Sequence, residues 1–291
     1  MQITLEKFDR SHLPFNKKML SFWNENGFLI INNFYTETEC EIIRDRANQL
    51  IKEFNPNDQS FKSIFDTNDQ KHADDKYFLE SGDKIRFFFE SKAFDENGNL
   101  NNSIELVINK IGHALHDLDE KFYEFCHRKD LNNIANSLGI LSPKILQSMY
   151  IFKQPKIGGE VVCHQDSTFI YTEPESATGF WVALEDSNIE NGCLWAAKGG
   201  HKGPLRKRFK KINNKMEMIT LNETPFEKTD TPIEVSKGSL VLLHGRLPHY
   251  SCENKSDKSR HAFTFHIIDA NSFYSDNNWL QRENLPLKGF I

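Results

Sequence analysis

Two side chains that can bind a metal, His164 and Asp166, are separated by one residue in the segment EVVCHQDSTFIY. The β-branched and aromatic residues of this segment predict a strand. Because side chains alternate along a strand, both would project from the same face and reach a common point above the sheet. His249, in the distant segment HYSCEN, could supply a third ligand. Two histidines and one carboxylate on one face of an octahedron suit Fe(II) and leave other positions open.

Two further residues indicate that this site also binds a carboxylic acid. Ser251 lies two residues after His249, on the same predicted strand face, and Arg260 falls on the next predicted strand. An antiparallel neighbour could bring the guanidinium back beside the metal, where it could bind the distal carboxylate of a diacid in a bidentate way. The four residue types at this spacing therefore predict a metal site with an adjoining diacid site.

Other interpretations of the histidines remain open at this point. An H-x-D pair is common, and it also fits a polar pair near a turn on the surface. His244, at the end of LVLLHG, is a rival third ligand, although a polar residue at a strand end is a simpler interpretation. The other candidate histidines fit helix-face, loop or strand-packing positions: His113, His116, His201, His261 and His266.

The first third of the chain predicts mainly helical elements. NKKMLSFWNENG has apolar residues at helical spacing and stops at Gly27, a residue that tolerates positive φ. FLIINNF predicts a strand. The helix TETECEIIRDRANQLIKEF then follows, with Thr36 as N-cap and Glu39 completing a capping box. A second helical stretch is predicted through SIELVINKIGHALHDLDEKFYEFCHR.

From Lys144 onward, short β-branched and aromatic runs alternate with turns, which predicts an antiparallel sandwich or barrel. The stretch Lys202–Pro232 is longer and more basic than a hairpin turn, so we interpret it as an insertion at the rim. The predicted fold class is mainly β with flanking helices, a cupin-like jelly roll. We expect a single domain over 1–291, with a helical part over 1–140 and a jelly-roll core over 141–270.

Composition excludes several other classes of protein. The net charge of −5 gives no sign of a nucleic-acid surface. No apolar run approaches the ~20 residues that cross a bilayer. The five cysteines are irregularly spaced, which indicates reduced thiols rather than a disulfide framework. Neither a secretory nor a peroxisomal signal is recognisable, so we expect a cytoplasmic protein, for which passive entry into the nucleus stays open.

Several longer segments resemble one enzyme family: SGDKIRFFFE, INKIGHALH, QSMYIFKQP, GGEVVCHQD, YTEP, NGCLW, LVLLHG and SDKSRHAFTFH. They are similar to the phytanoyl-CoA dioxygenase family over residues 27–279, with 202–232 the least similar part. The resemblance implies a double-stranded β-helix and a 2-oxoglutarate-dependent dioxygenase, an oxidoreductase that uses Fe(II), 2-oxoglutarate and O₂. Ascorbate is the expected reductant.

The resemblance also implies roles for individual residues. His164, Asp166 and His249 would be the iron ligands, and Arg260 and Ser251 would hold the 5-carboxylate of 2-oxoglutarate. The rest of the cosubstrate pocket would be formed by Lys110, Met149, Gln165 and Trp181. Each of these has an ordinary alternative, since Lys110 on a helix could be a solvated charge and Met149 or Trp181 could pack in the core.

The substrate is less defined than the reaction. The family implies hydroxylation of a small or lipid-like molecule, such as an acyl-CoA, with release of succinate and CO₂, and a carboxylate at position 166 favours hydroxylation over halogenation. Two other functions stay in view: a non-redox, cupin-type metalloenzyme, and a 2-oxoglutarate sensor without turnover. Lys84 and Arg86 could face a substrate carboxylate or solvent, and the stretch Lys202–Pro232 could be a substrate lid.

Overall fold

The computed structural model describes residues 5–55, 63–67 and 74–290. Its α-helices are α1 Lys17–Asn26, α2 Glu37–Glu53, α3 Lys76–Leu79, α4 Ile104–Val107, α5 Leu115–Leu118, α6 Glu120–Cys126 and α7 Lys129–Ser137. Its strands are β1 Phe8–Asp9, β2 Phe28–Asn32, β3 Ile85–Phe89, β4 Ile108–His113, β5 Pro143–Ile151, β6 Val161–His164, β7 Thr172–Glu173, β8 Thr178–Ala183, β9 Leu194–Ala196, β10 Lys207–Ile212, β11 Lys215–Thr220, β12 Thr231–Ile233, β13 Leu240–His244, β14 His249–Ser251, β15 Ala262–Asp269 and β16 Phe273–Tyr274.

The first two long helices begin and end where their capping residues predict. Gly27 closes α1 with a φ of 78°, in the left-handed region that favours glycine. At the start of α2, the Thr36 hydroxyl accepts from Glu39 N, and the Glu39 carboxylate accepts from Thr36 N at 2.7 Å. This reciprocal pair satisfies two amide groups that the helix leaves without partners.

An eight-stranded sheet forms the larger layer of the fold, in the order β1-β2-β13-β8-β15-β5-β4-β3. One face carries the main hydrophobic core, where strand residues such as Phe180 and Phe263 join helix residues such as Ile43 of α2 and Phe122 of α6. The helices thus cover the outer face of the sheet. This core includes residues from Phe8 to Ile267.

A four-stranded sheet, in the order β12-β9-β14-β6, faces the inner side of the large sheet. A second apolar cluster lies between the two layers, because Trp181 and Val241 of the large sheet pack with Leu194 and Ile233 of the small one. Two mainly antiparallel sheets packed in this way are the predicted jelly roll, and the chain between β5 and β15 crosses repeatedly from one sheet to the other.

The second predicted helical stretch is partly wrong. Its middle, INKIGH, is strand β4, which pairs with β3 on one side and β5 on the other. Five of its six residues are buried on one face or the other, so it lacks the polar–apolar alternation that identifies a half-exposed strand. Lys110 therefore lies on a central strand rather than on a helix.

The stretch Lys202–Pro232 contains a regular β-hairpin. Strands β10 and β11 pair from Lys207↔Thr220 to Ile212↔Lys215. Phe209 and Met218 are opposite each other in this register and lie toward the interior. The hairpin therefore contributes apolar side chains to the interior from the middle of each strand.

One arginine attaches the segment after β16 to helix α5 and strand β5. The Arg282 guanidinium forms an ion pair with the buried side chain of Asp117 and donates to the carbonyl oxygens of Ile145 and Leu146. Within the same segment, Trp279 stacks on Phe78 with ring centroids 4.4 Å apart. This segment is called the closing segment, residues 277–290, below.

None of the helices in the described ranges combines the length and the apolar character needed to cross a lipid bilayer.

Candidate metal centre

The two candidate histidine ligands are brought together by strand pairing. Strands β6 and β14 are antiparallel neighbours, and His164 is directly opposite His249 in their register. The two imidazole rings are 4.4 Å apart at their centroids. Directly opposed residues on one face are the closest side-chain neighbours that a sheet provides.

Asp166 reaches the same point by a different route from the predicted one. Strand β6 ends at His164, and Asp166 begins a 3-10 helix that runs to Thr168. The alternation argument therefore placed Asp166 correctly beside His164 but on the wrong element. The turn after β6 directs the Asp166 carboxylate toward His164 and His249.

The candidate ligand atoms form a compact triangle. Asp166 Oδ1 lies 3.5 Å from His164 Nε2 and 3.7 Å from His249 Nε2. One ligand atom from each residue lies within 4.8 Å of the others, and no further group of this kind occurs in the described part of the chain. His244 is not part of it, because its Nδ1 accepts from the Arg246 amide at 3.1 Å. The geometry therefore favours His249 as third ligand.

Hydrogen bonds fix which nitrogen of each histidine faces the triangle. His164 Nδ1 lies 2.8 Å from Val162 O, and His249 Nδ1 lies 3.0 Å from Leu247 O. A carbonyl oxygen only accepts, so both Nδ1 atoms carry the proton and donate. The Nε2 lone pairs are then directed toward Asp166, which is the tautomer that a metal ligand needs.

Electrostatics favour the charge states that metal binding requires at two of the three candidate ligands, His249 and Asp166. Burial lowers the pKa of His249 to about 4, so its imidazole is neutral at pH 7. Burial alone would raise the pKa of Asp166, but His266 and His249 lower it well below its ordinary value. Burial also opposes protonation of His164, yet the bond to Asp166 raises the pKa of His164 overall. Asp166 is therefore the anionic member of the group and His249 a neutral one, whereas a metal ion would have to displace a proton from His164.

His266 is a functional neighbour that the sequence analysis missed. Its Nε2 lies 3.3 Å from Asp166 Oδ2, and its Nδ1 lies 3.2 Å from Gln147 Nε2. Gly179 allows this close approach, since a Cβ there would lie 3.2 Å from the same carboxylate oxygen. His266 projects inward from β15, two residues after Thr264. The alternation of side chains along β15 could have indicated that His266 points inward, but it could not identify the residues that His266 faces.

The metal triangle opens into a cavity of about 240 Å³ between the two sheets. Three of the predicted cosubstrate residues line it, namely Lys110, Met149 and Trp181. Lys110 is buried among aromatic rings, with its Nζ 3.4 Å from the Phe65 ring centroid and 3.7 Å from Met149 Sδ. Burial in this apolar surrounding lowers the pKa of Lys110 well below its ordinary value.

Arg260 also lines this cavity. It precedes β15, which belongs to the large sheet, so it does not lie on an antiparallel neighbour of β14 as predicted. The chain crosses from the small sheet to the large sheet between β14 and β15, and Ser251 and Arg260 nevertheless line the same cavity. The Arg260 side chain is fully buried, its Nε donates to Gly192 O at 3.2 Å, and burial lowers its pKa to about 10.

A buried polar atom without a partner indicates that this cavity binds an anion. Arg260 Nη1 is buried and has no hydrogen-bond partner among the described residues. A buried polar atom without a partner costs about 1–3 kcal/mol, and more when charged. A carboxylate beside Arg260 would satisfy this atom. The donor set of two imidazoles and one carboxylate fits Fe(II).

The sequence analysis also missed Lys153, which follows β5. Its Nζ donates to Ser251 Oγ at 2.9 Å and to Gly159 O at 2.6 Å, and it lines the cavity beside Arg260. Nothing in the spacing of QSMYIFKQP separates this lysine from an exposed one, because its side chain turns inward only after the strand ends.

Gln165 is placed differently from the prediction. It does not line the cavity, because its amide donates to Pro204 O and Arg246 O and accepts from Arg206 N. It therefore fastens the loop that carries Asp166 to the base of the β10–β11 hairpin. Lys84 and Arg86 are likewise absent from the cavity wall, and Arg86 lies over the Tyr77 ring.

Comparison with known sequences identifies close relatives. Residues 23–262 match the model of the family described as phytanoyl-CoA dioxygenase. A phytanoyl-CoA dioxygenase of Arabidopsis thaliana is 46% identical over 268 residues, covering 92% of this chain and 94% of that protein. Phytanoyl-CoA dioxygenase domain-containing protein 1 of Bos taurus is 42% identical over 272 residues, covering 90% of this chain and 93% of that protein.

Solved structures share the fold at low identity. SnoK, a non-heme alpha ketoglutarate dependent carbocyclase from nogalamycin biosynthesis, superposes with a TM-score of 0.61 at 16% identity, covering 90% of this chain and 88% of that one. EctD from S. alaskensis, solved with 2-oxoglutarate and 5-hydroxyectoine, gives 0.62 at 14% identity, covering 94% and 86%. These likenesses confirm the double-stranded β-helix.

Proposed function

The chain belongs to the phytanoyl-CoA dioxygenase family of iron- and 2-oxoglutarate-dependent dioxygenases, and we propose that it hydroxylates a small or lipid-like substrate with release of succinate and CO₂. The observation that carries the proposal is the triangle of His164, Asp166 and His249 at the wall of an apolar cavity that also contains Arg260. Bound iron and 2-oxoglutarate would supply the oxidative chemistry.

The residues of the chain hold and orient the metal. His164 and His249 would bind through Nε2 and Asp166 through Oδ1, since these atoms face one another. These residues would hold the metal from one side, and the cavity on the other side would leave room for cosubstrate and O₂. A carboxylate at Asp166 occupies the position that halide would otherwise take, which favours hydroxylation.

A second set of residues would bind 2-oxoglutarate. Arg260 and Ser251 would hold its distal carboxylate, because both polar groups lie in the cavity and Arg260 Nη1 needs an acceptor. Trp181 lies against Arg260, with the guanidinium carbon 5.4 Å from the ring centroid, and would flank the same carboxylate. Met149 and Lys110 would border the remainder of the cosubstrate.

The cavity wall limits the class of primary substrate. Its outer part consists mainly of large apolar side chains: Phe65, Phe78, Phe169, Ile170, Phe209, Met218 and Trp279. Asp166 is the one carboxylate among the described residues that line it, and the metal would engage this group. A cationic substrate would therefore find no counter-charge. We infer an apolar substrate portion that is neutral or anionic.

Succinate formation tests the proposed function. The purified protein with Fe(II), ascorbate and 2-oxoglutarate should release succinate slowly even without its substrate, and a chelator should reduce this to background. Asp166→Ala should behave like the chelated enzyme. Asp257→Ala is the matched control, since its carboxylate is 90% exposed and pairs only with surface Lys156 among the described residues.

Two outcomes would contradict the proposal. Tight 2-oxoglutarate binding without succinate, with candidate substrates supplied, would indicate a sensor. Metal binding without any 2-oxoglutarate binding would indicate a non-redox metalloenzyme of the cupin type.

A further inference from the structure

Lys153 is a buried cation at the cavity wall, and the proposed function gives it no role. Only 2% of the residue is exposed, and its φ of 40° turns the chain sharply after β5. Its backbone oxygen accepts from Arg260 N at 3.2 Å and from Asn254 Nδ2 at 2.9 Å. The backbone of Lys153 is thereby joined to the residue that would bind the distal carboxylate.

The charge of Lys153 has no close counter-ion among the described residues. Burial and the neighbouring charge of Arg260 lower the pKa of Lys153 to about 7. These two effects are larger than the opposing effects of Glu90, Cys252 and Glu160, which raise the pKa. The Glu90 carboxylate accepts from Gly159 N at 3.1 Å, and burial raises its own pKa. Two buried cations, Lys153 and Arg260, therefore face one cavity, and an incoming anion would satisfy both.

The hydrogen bond between Lys153 and Ser251 has a direction. A protonated ammonium has three donors and no acceptor, so Ser251 Oγ must accept from Lys153 Nζ at 2.9 Å. The hydroxyl proton of Ser251 is then free to point elsewhere. A neutral amine, by contrast, carries a lone pair that can accept this proton and turn the hydroxyl away from a ligand.

We propose that Lys153 is a positioning residue, which directs the Ser251 hydroxyl so that it donates to the distal carboxylate of 2-oxoglutarate. This inference rests on the proposed function, because it assigns a residue to the cosubstrate subsite. Lys153 acts through Ser251 and adds a positive charge behind it. Arg260 binds the same carboxylate directly.

This arrangement couples the binding of 2-oxoglutarate to the protonation of Lys153. The carboxylate stabilises the charged form of Lys153, so its pKa rises when 2-oxoglutarate binds. Above pH 7, where part of the lysine is neutral before binding, the complex must take up a proton from solvent. The affinity for 2-oxoglutarate is therefore expected to fall as the pH rises from 7 to 9.

Calorimetry on Mn(II)-saturated protein, in the absence of Fe(II) and turnover, tests the inference. Lys153→Met should weaken 2-oxoglutarate binding about ten- to hundredfold, as expected for a hydrogen bond to a charged group. Lys156→Met is the matched control, because Lys156 lies three residues away and its side chain is 58% exposed. It should bind like wild type. In a Ser251→Ala background, Lys153→Met should cause only a small part of its effect in the wild type.

Wild-type protein provides a readout that needs no variant. Titrations at pH 8 in buffers of different ionisation enthalpy should show proton uptake on 2-oxoglutarate binding, and this uptake should vanish at pH 6. Unchanged affinity in Lys153→Met, full additivity with Ser251→Ala, or binding without proton uptake would each overturn the inference while leaving the proposed function standing. Absence of 2-oxoglutarate binding to wild type would overturn both.

Discussion

The two carboxylate oxygens of Asp166 have different neighbours. Oδ1 faces the Nε2 atoms of His164 and His249, whereas Oδ2 lies 3.3 Å from His266 Nε2. His266 therefore holds the carboxylate in place from the side opposite to the metal position. Outer partners of this kind orient ligands and tune metal affinity.

The choice between the two candidate third ligands can be measured directly. His249→Ala should abolish Mn(II) binding, because it removes one of three protein ligands, whereas His244→Ala should leave the affinity close to that of wild type. Metal titration followed by electron paramagnetic resonance would distinguish them. Loss of binding in His244→Ala with retention in His249→Ala would reverse the assignment.

His266→Gln should weaken Mn(II) binding about ten- to hundredfold, the usual effect of removing an outer partner of a ligand. The same titration measures it, with His244→Ala as the control. An affinity equal to that of wild type would show that Asp166 is oriented without His266.

Arg260→Ala should raise the dissociation constant for 2-oxoglutarate at least ~30-fold. Losing one partner of a buried, hydrogen-bonded charge pair costs about 2–5 kcal/mol, and 1.4 kcal/mol corresponds to tenfold. Calorimetry with Mn(II) would measure the change. Arg10→Ala is a suitable control because its side chain is 40% exposed and pairs with Asp130, and neither residue lines the cavity. Wild-type affinity in Arg260→Ala would exclude this residue from the subsite.

At the scale of elements, two glycines that follow helices have the same backbone conformation but different surroundings, so their substitution distinguishes backbone strain from steric conflict. Both have positive φ, 78° at Gly27 and 89° at Gly139. A Cβ at Gly139 would meet nothing within 4 Å, whereas one at Gly27 would collide with the His201 ring.

Gly139→Ala should therefore lower the free energy of unfolding by about 1–2 kcal/mol, the cost of the left-handed conformation alone. Gly27→Ala should cost clearly more, because His201 must also move. Urea denaturation of both variants would measure the difference, and equal losses would show that the His201 ring adapts without cost.

Local signals in the sequence were sufficient for elements that are determined by their own residues. Gly27, Thr36 and Glu39 identify helix ends through hydrogen bonds within the same few residues. Strand β4 was missed because its burial comes from β3 and β5, which are distant in sequence. The switch from strand to 3-10 helix at Asp166 depends on the loop held by Gln165, which is also a tertiary effect.

Some residues of the candidate site could likewise be predicted from the sequence, and others could not. The group of His164, Asp166 and His249 was predictable because these residue types at that spacing carry a specific chemistry, whereas Arg260 was expected on a strand beside β14 and instead precedes β15. His266 and Lys153 were not predictable, since a histidine in a strand and a lysine after one are common. Only the register of β15 with β8 and the turn at φ 40° place them beside Asp166 and Ser251.

At the scale of the whole molecule, the closing segment links the sheets to the helices through Arg282 and Asp117. Burial alone would raise the pKa of Asp117, but its bonds from His116 and Arg282 lower it below its ordinary value. A carboxylate with a lowered pKa contributes stability above its unfolded pKa, about 4, and this stability is lost as the pH falls further.

Arg282→Ala should lower the free energy of unfolding by about 3–5 kcal/mol, because it leaves a buried carboxylate without its main partner. Lys288→Ala should cost at most about 1 kcal/mol, since Lys288 lies 3.3 Å from the same carboxylate but its side chain is 46% exposed. Urea denaturation at pH 7 compares them. Similar losses in the two variants would mean that Asp117 does not depend on Arg282.

The strand order of the large sheet has a consequence for how the protein is made. Strand β15 lies between β8 and β5, so it alone joins β5, β4 and β3 to the other strands of this sheet. While a ribosome is still synthesising residues before 262, β5 has an open edge that can pair with another nascent chain. Trp279, which completes the cavity wall, is synthesised later still. Chaperone protection of this edge during translation should therefore determine the yield of protein that can bind iron.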